Sequence, residues 1–123
     1  MKVRTGPATL PLLLCVVAML GPLRSVSWAE SAAKNYEQLC RKCHGEDGSG
    51  NGPAAGVLDK HPGDFTDCAA MQERSRDFVV KIIAGGGAAV GRSVQMPVTG
   101  KKLSPEEVEA LADYVMHHFC GGD

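Results

Sequence analysis

The 123-residue chain holds 14 acidic and 13 basic residues, and all the acids but only ten of the bases lie in residues 30–123. That span therefore carries a net charge of −4, which excludes a general binder of nucleic acid, whose surface must be basic enough to neutralise phosphates. Its 94 residues make one small domain, and chains so short generally need a staple, a metal or a cofactor to complete their core.

Residues 1–29 read as a leader. "MKVRTGPATLPLLLCVVAML" has a basic head, Lys2 and Arg4, and then an apolar run broken by Pro11. Ser27-Trp28-Ala29 places small residues at −3 and −1 of a cleavage after Ala29, the layout of a secretory signal peptide. The run is shorter than the roughly 20 apolar residues of a membrane span. Leu14 before Cys15 does not suit lipoprotein processing. The expectation is an exported protein, in the bacterial periplasm, with one domain over residues 30–123.

"SAAKNYEQLCR", residues 31–41, predicts a helix capped by Ser31, with Tyr36, Leu39 and Cys40 on one face. Glycines, Asp47, Asn51 and Pro53 predict a long loop from Gly45 to Pro62. "DCAAMQER" predicts a short helix. Ser75 caps "RDFVVKIIA", which the glycines at 85–87 stop. Residues 88–103 show no periodicity. "LSPEEVEALADYVMHHF" then has Ser104 as N-cap, Pro105 in the first turn and Glu107 to complete a capping box. Val108, Leu111, Ala112, Val115, Met116 and Phe119 form its buried stripe. No segment alternates as a strand does, so the fold class is all-α, with three or four short helices and long loops.

The chemistry lies in "LCRKCHG". Residues three apart in a helical turn project on one side, so Cys40 and Cys43 can reach neighbouring substituents of one planar ligand, with His44 aimed at its centre. Cys-x-x-Cys-His is the attachment signature of c-type haem. A thiol-exchange pair needs a strand–helix context that is absent here. Zinc needs a compact second pair of ligands, which His61, Cys68, His117, His118 and Cys120 do not form. The expectation is one covalent haem c, anchored by Cys40 and Cys43, with His44 as proximal iron ligand.

A low-spin carrier closes the other axial face of the iron with Met or His. Met116 falls on the last helix's apolar stripe and Met71 in a short helical segment, both positions of ordinary packing. Met96 lies in the irregular loop, and Pro97 behind it stiffens the backbone. Met96 is the expected distal ligand.

"YEQLCRKCHGEDGSGNGPAAG", "DFTD" and "VGRSVQMPVTGKKLSPEEVEALADYV" resemble the class I cytochromes c of small bacterial type, across nearly all of residues 31–120. The resemblance implies a first and a last helix that cross through Tyr36, Leu111 and Tyr114. Ala32 stands where the family often has glycine. The resemblance also implies that the carbonyl of Pro53 accepts a hydrogen bond from the His44 imidazole.

Cys68 and Cys120 remain. In an exported domain an even remainder points to a disulfide, the alternative being two separate buried thiols. Glu106, Glu107 and Glu109 suit the start of the last helix, and His117 and His118 its end. Arg41, Lys42, Arg92, Lys101 and Lys102 lie on the segments expected to flank the exposed haem edge. They make either ordinary surface charge or a basic rim for an acidic partner. The functional expectation is a soluble monohaem electron carrier between larger redox proteins, not itself an enzyme. The alternatives are an electron-transfer subunit of an oxidoreductase complex and a haem enzyme or sensor with an open iron site.

Overall fold

Among the described residues five α-helices carry the fold: α1 Trp28–Leu39, α2 Arg41–His44, α3 Cys68–Gln72, α4 Arg76–Gly85 and α5 Pro105–His117. Short 3₁₀ turns lie at Ala55–Val57, Gly87–Val90 and His118–Cys120. The structure, a computed structural model, describes residues 27–121 together with Met1, Lys2 and Gly6. Nearly all of the expected leader lies outside those residues. Among the described residues there is no strand, in keeping with the all-α expectation. The helices exceed the expected three or four only because α2, a piece of four residues after the Cys40 cap, stands apart from α1.

α1 begins earlier than expected. Ser27 rather than Ser31 is its cap, with the Ser27 hydroxyl accepting from the Glu30 amide at 3.2 Å. The Ser31 amide instead donates into the helix, to the Ser27 carbonyl at 3.0 Å. Nothing in Trp28-Ala29-Glu30 breaks a helix, and Glu30 in the first turn suits the positive end of the dipole. The other caps fall where the residues place them. The Ser75 hydroxyl accepts from the Phe78 amide at 3.1 Å, and α4 ends where Gly86 adopts φ +76°. Ser104 and Glu107 exchange both bonds of the capping box.

α1 packs against α5, and so does α4. Tyr36 of α1 meets Val108, Leu111, Ala112 and Val115 of α5 and Val79 and Ile83 of α4 in one buried cluster. The Tyr36 and Tyr114 rings lie 5.6 Å apart in the α1–α5 contact, as the resemblance implied. Ala32 of α1 is also buried. Met71 is buried and Met116 packs on the core, so both serve packing.

Two long-range ties complete the frame. Arg76 at the start of α4 grips Asp113 of α5, Nε to Oδ1 at 2.6 Å and Nη2 to Oδ2 at 3.0 Å. This bidentate pair fixes the helix register, although solvent screening of so exposed a pair leaves it little energy. Cys68 at the start of α3 faces Cys120 after α5, with Cα atoms 5.5 Å apart, a separation that a disulfide spans. Among the described residues no helix is long and apolar enough to cross a membrane.

Candidate functional site

Cys40 closes α1, its amide donating to the Tyr36 carbonyl at 2.9 Å. The Cys43 and His44 amides both return to the Cys40 carbonyl, at 3.1 and 2.9 Å. The three residues thus share one tight turn. The buried Tyr36 hydroxyl donates to the Gly45 carbonyl at 2.7 Å and holds the end of that turn against α1. Burial raises this phenol above its ordinary value, so it stays a protonated donor.

Cys40 and Cys43 are unpaired and half-buried. Burial, and then the neighbouring Cys43, push the Cys40 thiol up to about 12. Thiol exchange needs the opposite, a thiolate stabilised near neutral pH. Cys40 therefore does not suit redox cycling. Among the described residues, no three His, Cys, Asp or Glu side chains gather to hold a metal, and zinc would need four ligands of such kinds.

The His44 ring is held on an edge and on a face. Its Nδ1 lies 3.0 Å from the Gly63 carbonyl. A carbonyl only accepts, so Nδ1 carries the proton and Nε2 is bare, the form that ligates a metal. Burial lowers its pKa, and the Arg74 guanidinium adds to that, against the Gly63 bond. Phe65 lies flat on the ring, with centroids 4.5 Å apart and planes within 14°.

The carbonyl partner corrects the expectation for Pro53. Pro53 is exposed, on a turn stitched back onto α2 by Gly52 N to Cys43 O at 3.1 Å and Ala54 N to Lys42 O at 2.9 Å. Those bonds keep it at the start of the loop. The chain then swings out through the 55–57 turn and returns with Pro62 and Gly63 under the imidazole. Closing the longer loop costs little more than closing the shorter one.

Met96 stands in a loop tied at several points. Its carbonyl accepts from the Gly87 amide at 3.0 Å and its amide donates to the Ser93 carbonyl at 3.2 Å. Gly87 must be glycine, because a Cβ there would lie 1.9 Å from the Ser93 oxygen. Beyond Met96, the Gly100 amide reaches the Ala84 carbonyl at 3.1 Å and the Thr99 hydroxyl reaches that of Ile83. Gln95 accepts from the Asp59 amide at 2.8 Å, joining the Met96 loop to the loop after α2. On those joined loops Val57, Val94 and Val98 are 82, 79 and 47% exposed. Two thiols, a neutral imidazole, a loop thioether and an apolar rim make a donor set that fits a haem.

Of the expected basic rim, Lys42, Arg92, Lys101 and Lys102 are exposed. Arg41 differs, because it pairs with Glu37 one helical turn back and with Glu46 at 3.1 Å. Its charge is neutralised where it stands. His117 and His118 are exposed, and His118 stacks on Tyr114 at 4.4 Å. The sequence reading missed Gly63 and Phe65, whose one available signal was "PGDF", a second proline with an aromatic three residues on.

A family model described as cytochrome c oxidase, cbb3-type, subunit III matches residues 28–115. The chain is similar to the cbb3-type cytochrome c oxidase subunit FixP of Azorhizobium caulinodans, at 31% identity over 94 residues. The match takes in 76% of this chain and 28% of FixP, so the chain spans little more than a quarter of that relative. Among solved structures it is similar to the KustC0563 c-type cytochrome, with TM-score 0.57 and 30% identity, over 72% of this chain and 95% of that one.

Proposed function

The chain belongs to the c-type cytochrome family described as cytochrome c oxidase, cbb3-type, subunit III, with a covalently bound haem c, and from that premise we propose how its residues serve electron transfer. Cys40 and Cys43 are the thioether anchors, His44 the proximal ligand and Met96 the distal one. The haem supplies the one-electron couple. Around it His44 and Met96 would both be kept as iron ligands in either redox state, and Met/His ligation favours the reduced state. The observation that carries this reading is the His44 Nδ1–Gly63 contact, which leaves Nε2 bare beside two thiols on one turn. The optical spectrum of the purified protein in both redox states tests it, since attachment, spin state and axial ligation are read together.

The protein is a carrier, not an enzyme in itself, exported to the periplasm and exchanging electrons with larger redox proteins. Similarity to an oxidase subunit favours a second form of the same role, a domain working inside such a complex. Co-purification with larger subunits separates the two. An enzyme or sensor with an open iron site is disfavoured by the ties that hold the Met96 loop.

A Cys68–Cys120 disulfide belongs to this reading, supported by the approach of the two residues. It closes a loop across a sequence separation of 52 residues, worth on the order of 4 kcal/mol in the chain-entropy model. Replacing both by serine will lower the melting temperature and leave the optical spectrum nearly unchanged. Two thiols alkylated without reductant in the unfolded holoprotein would show that no bridge forms.

Lys42, Arg92, Lys101 and Lys102 form a docking rim for an acidic partner, without Arg41. Such a rim raises the encounter rate in a salt-dependent way and permits quick release. Lys42→Glu with Lys101→Glu will slow transfer to the natural acceptor at low salt by about tenfold and flatten its salt dependence. Equal rates at every ionic strength would reduce these lysines to ordinary surface charge.

A further inference from the structure

We propose that Phe65 is a positioning residue for the His44 imidazole, setting its plane and keeping water from it, and through both setting the haem potential. This rests on the reading of His44 as iron ligand. The Gly63 carbonyl anchors one edge of the imidazole at 3.0 Å, but a single bond leaves the ring free to swivel about it. The Phe65 ring, nearly parallel at 4.5 Å, closes that freedom from the face. Carbonyl and plate come from one short segment, so they move together.

Phe65 is itself held. Its amide donates to the Gly48 carbonyl at 2.7 Å, within the loop that follows the cysteine turn. Gly48 has φ +75°, and a Cβ there would lie 2.7 Å from the Phe119 ring, so that loop is pressed against the chain after α5. Phe119 and Tyr36 pack on Phe65 with centroids at 5.9 and 6.4 Å. The Cys120 sulfur approaches the Phe65 carbonyl at 3.4 Å. The plate is therefore backed by the α1–α5 contact rather than by a mobile loop.

The imidazole plane governs how its π orbital overlaps the iron d orbitals, and the apolar cover governs hydration of the ligand. Hydrogen bonding and burial around an axial ligand are the levers by which a protein moves a haem potential. Leucine fills a similar volume without a flat face, so Phe65→Leu separates packing from positioning.

In the holoprotein, Phe65→Leu will move the ratio of oxidised to reduced protein at a fixed poise toward oxidised, by about tenfold, the scale usual for outer partners of metal ligands. It will also change the anisotropy of the ferric paramagnetic resonance spectrum, which reports the imidazole plane. Phe65→Tyr keeps the plate and will restore both. Met71→Ala, which cuts back a buried side chain of α3, will lose thermal stability with the potential unmoved. A Phe65→Leu protein with a lower melting temperature but the parent potential and ferric spectrum would overturn the proposal, leaving Phe65 as packing. Should Phe65→Leu not fold, Phe65→Met, a flexible filler, takes the same two readings with the same outcomes. A His44→Ala protein that keeps a low-spin spectrum would remove the ligand reading, and this proposal with it.

Discussion

Met96→Ala will abolish the weak far-red sulfur-to-iron band of the ferric protein, admit small external ligands to the iron, and lower the potential. The loss of Met ligation will shift the ratio of oxidised to reduced protein by more than about tenfold at a fixed poise. The expectation rests on how firmly the loop is placed. Its backbone is bonded to Gly87 and Ser93 and then to the end of α4, so a side chain at position 96 returns to one place each time the protein folds. Met71 and Met116 are the internal controls. The first is 2% exposed and the second packs on the core from α5, so Met71→Ala and Met116→Ala will cost stability and leave the band in place. A band that vanishes with Met71 instead would reverse the assignment.

Denatured protein will keep its haem, and its mass will exceed that of residues 30–123 by one haem. Haem that extracts into acidic solvent would refute covalent attachment, and a retained leader would show in the same mass. The chain without haem will be largely unfolded, with most of its helical circular dichroism lost. Among the described residues nine hydrophobic side chains are buried, two of them alanines, a small core for a domain of this length. The valines at 57, 94 and 98 stay open on the joined loops, and a haem bound against them would supply apolar burial that they lack here. A cooperative thermal transition in the haem-free chain would show that the helices suffice alone.

Much of the framework was legible because its signals are local. A hydroxyl followed by an acid three residues on sets a helix start by bonds within one turn, and Ser104 and Glu107 make both. Three glycines end α4 at Gly85 for the same kind of reason. The Cys40–His44 spacing is a property of one turn, and the apolar stripe of α5 is a property of one helix. Even here the boundary slipped where two serines competed, and α1 ran back to Ser27 because no breaker lay between them.

What the sequence determined by itself is most of the helices, the Cys40–His44 turn and the kinds of atom that would be offered to a haem, since each depends on residues within a few positions of one another. Only the tertiary structure decided which atoms meet across the chain. It chose Gly63 over Pro53 under the imidazole, laid Phe65 on its face, tied Gln95 to Asp59, clasped Arg76 to Asp113 and spent Arg41 on two glutamates. The physical reason is that loop closure costs nearly the same for many partners, so composition leaves the choice open. Packing of α1 and α4 on α5 then settles it, by bringing one carbonyl, one ring or one carboxylate within reach and leaving the others outside it.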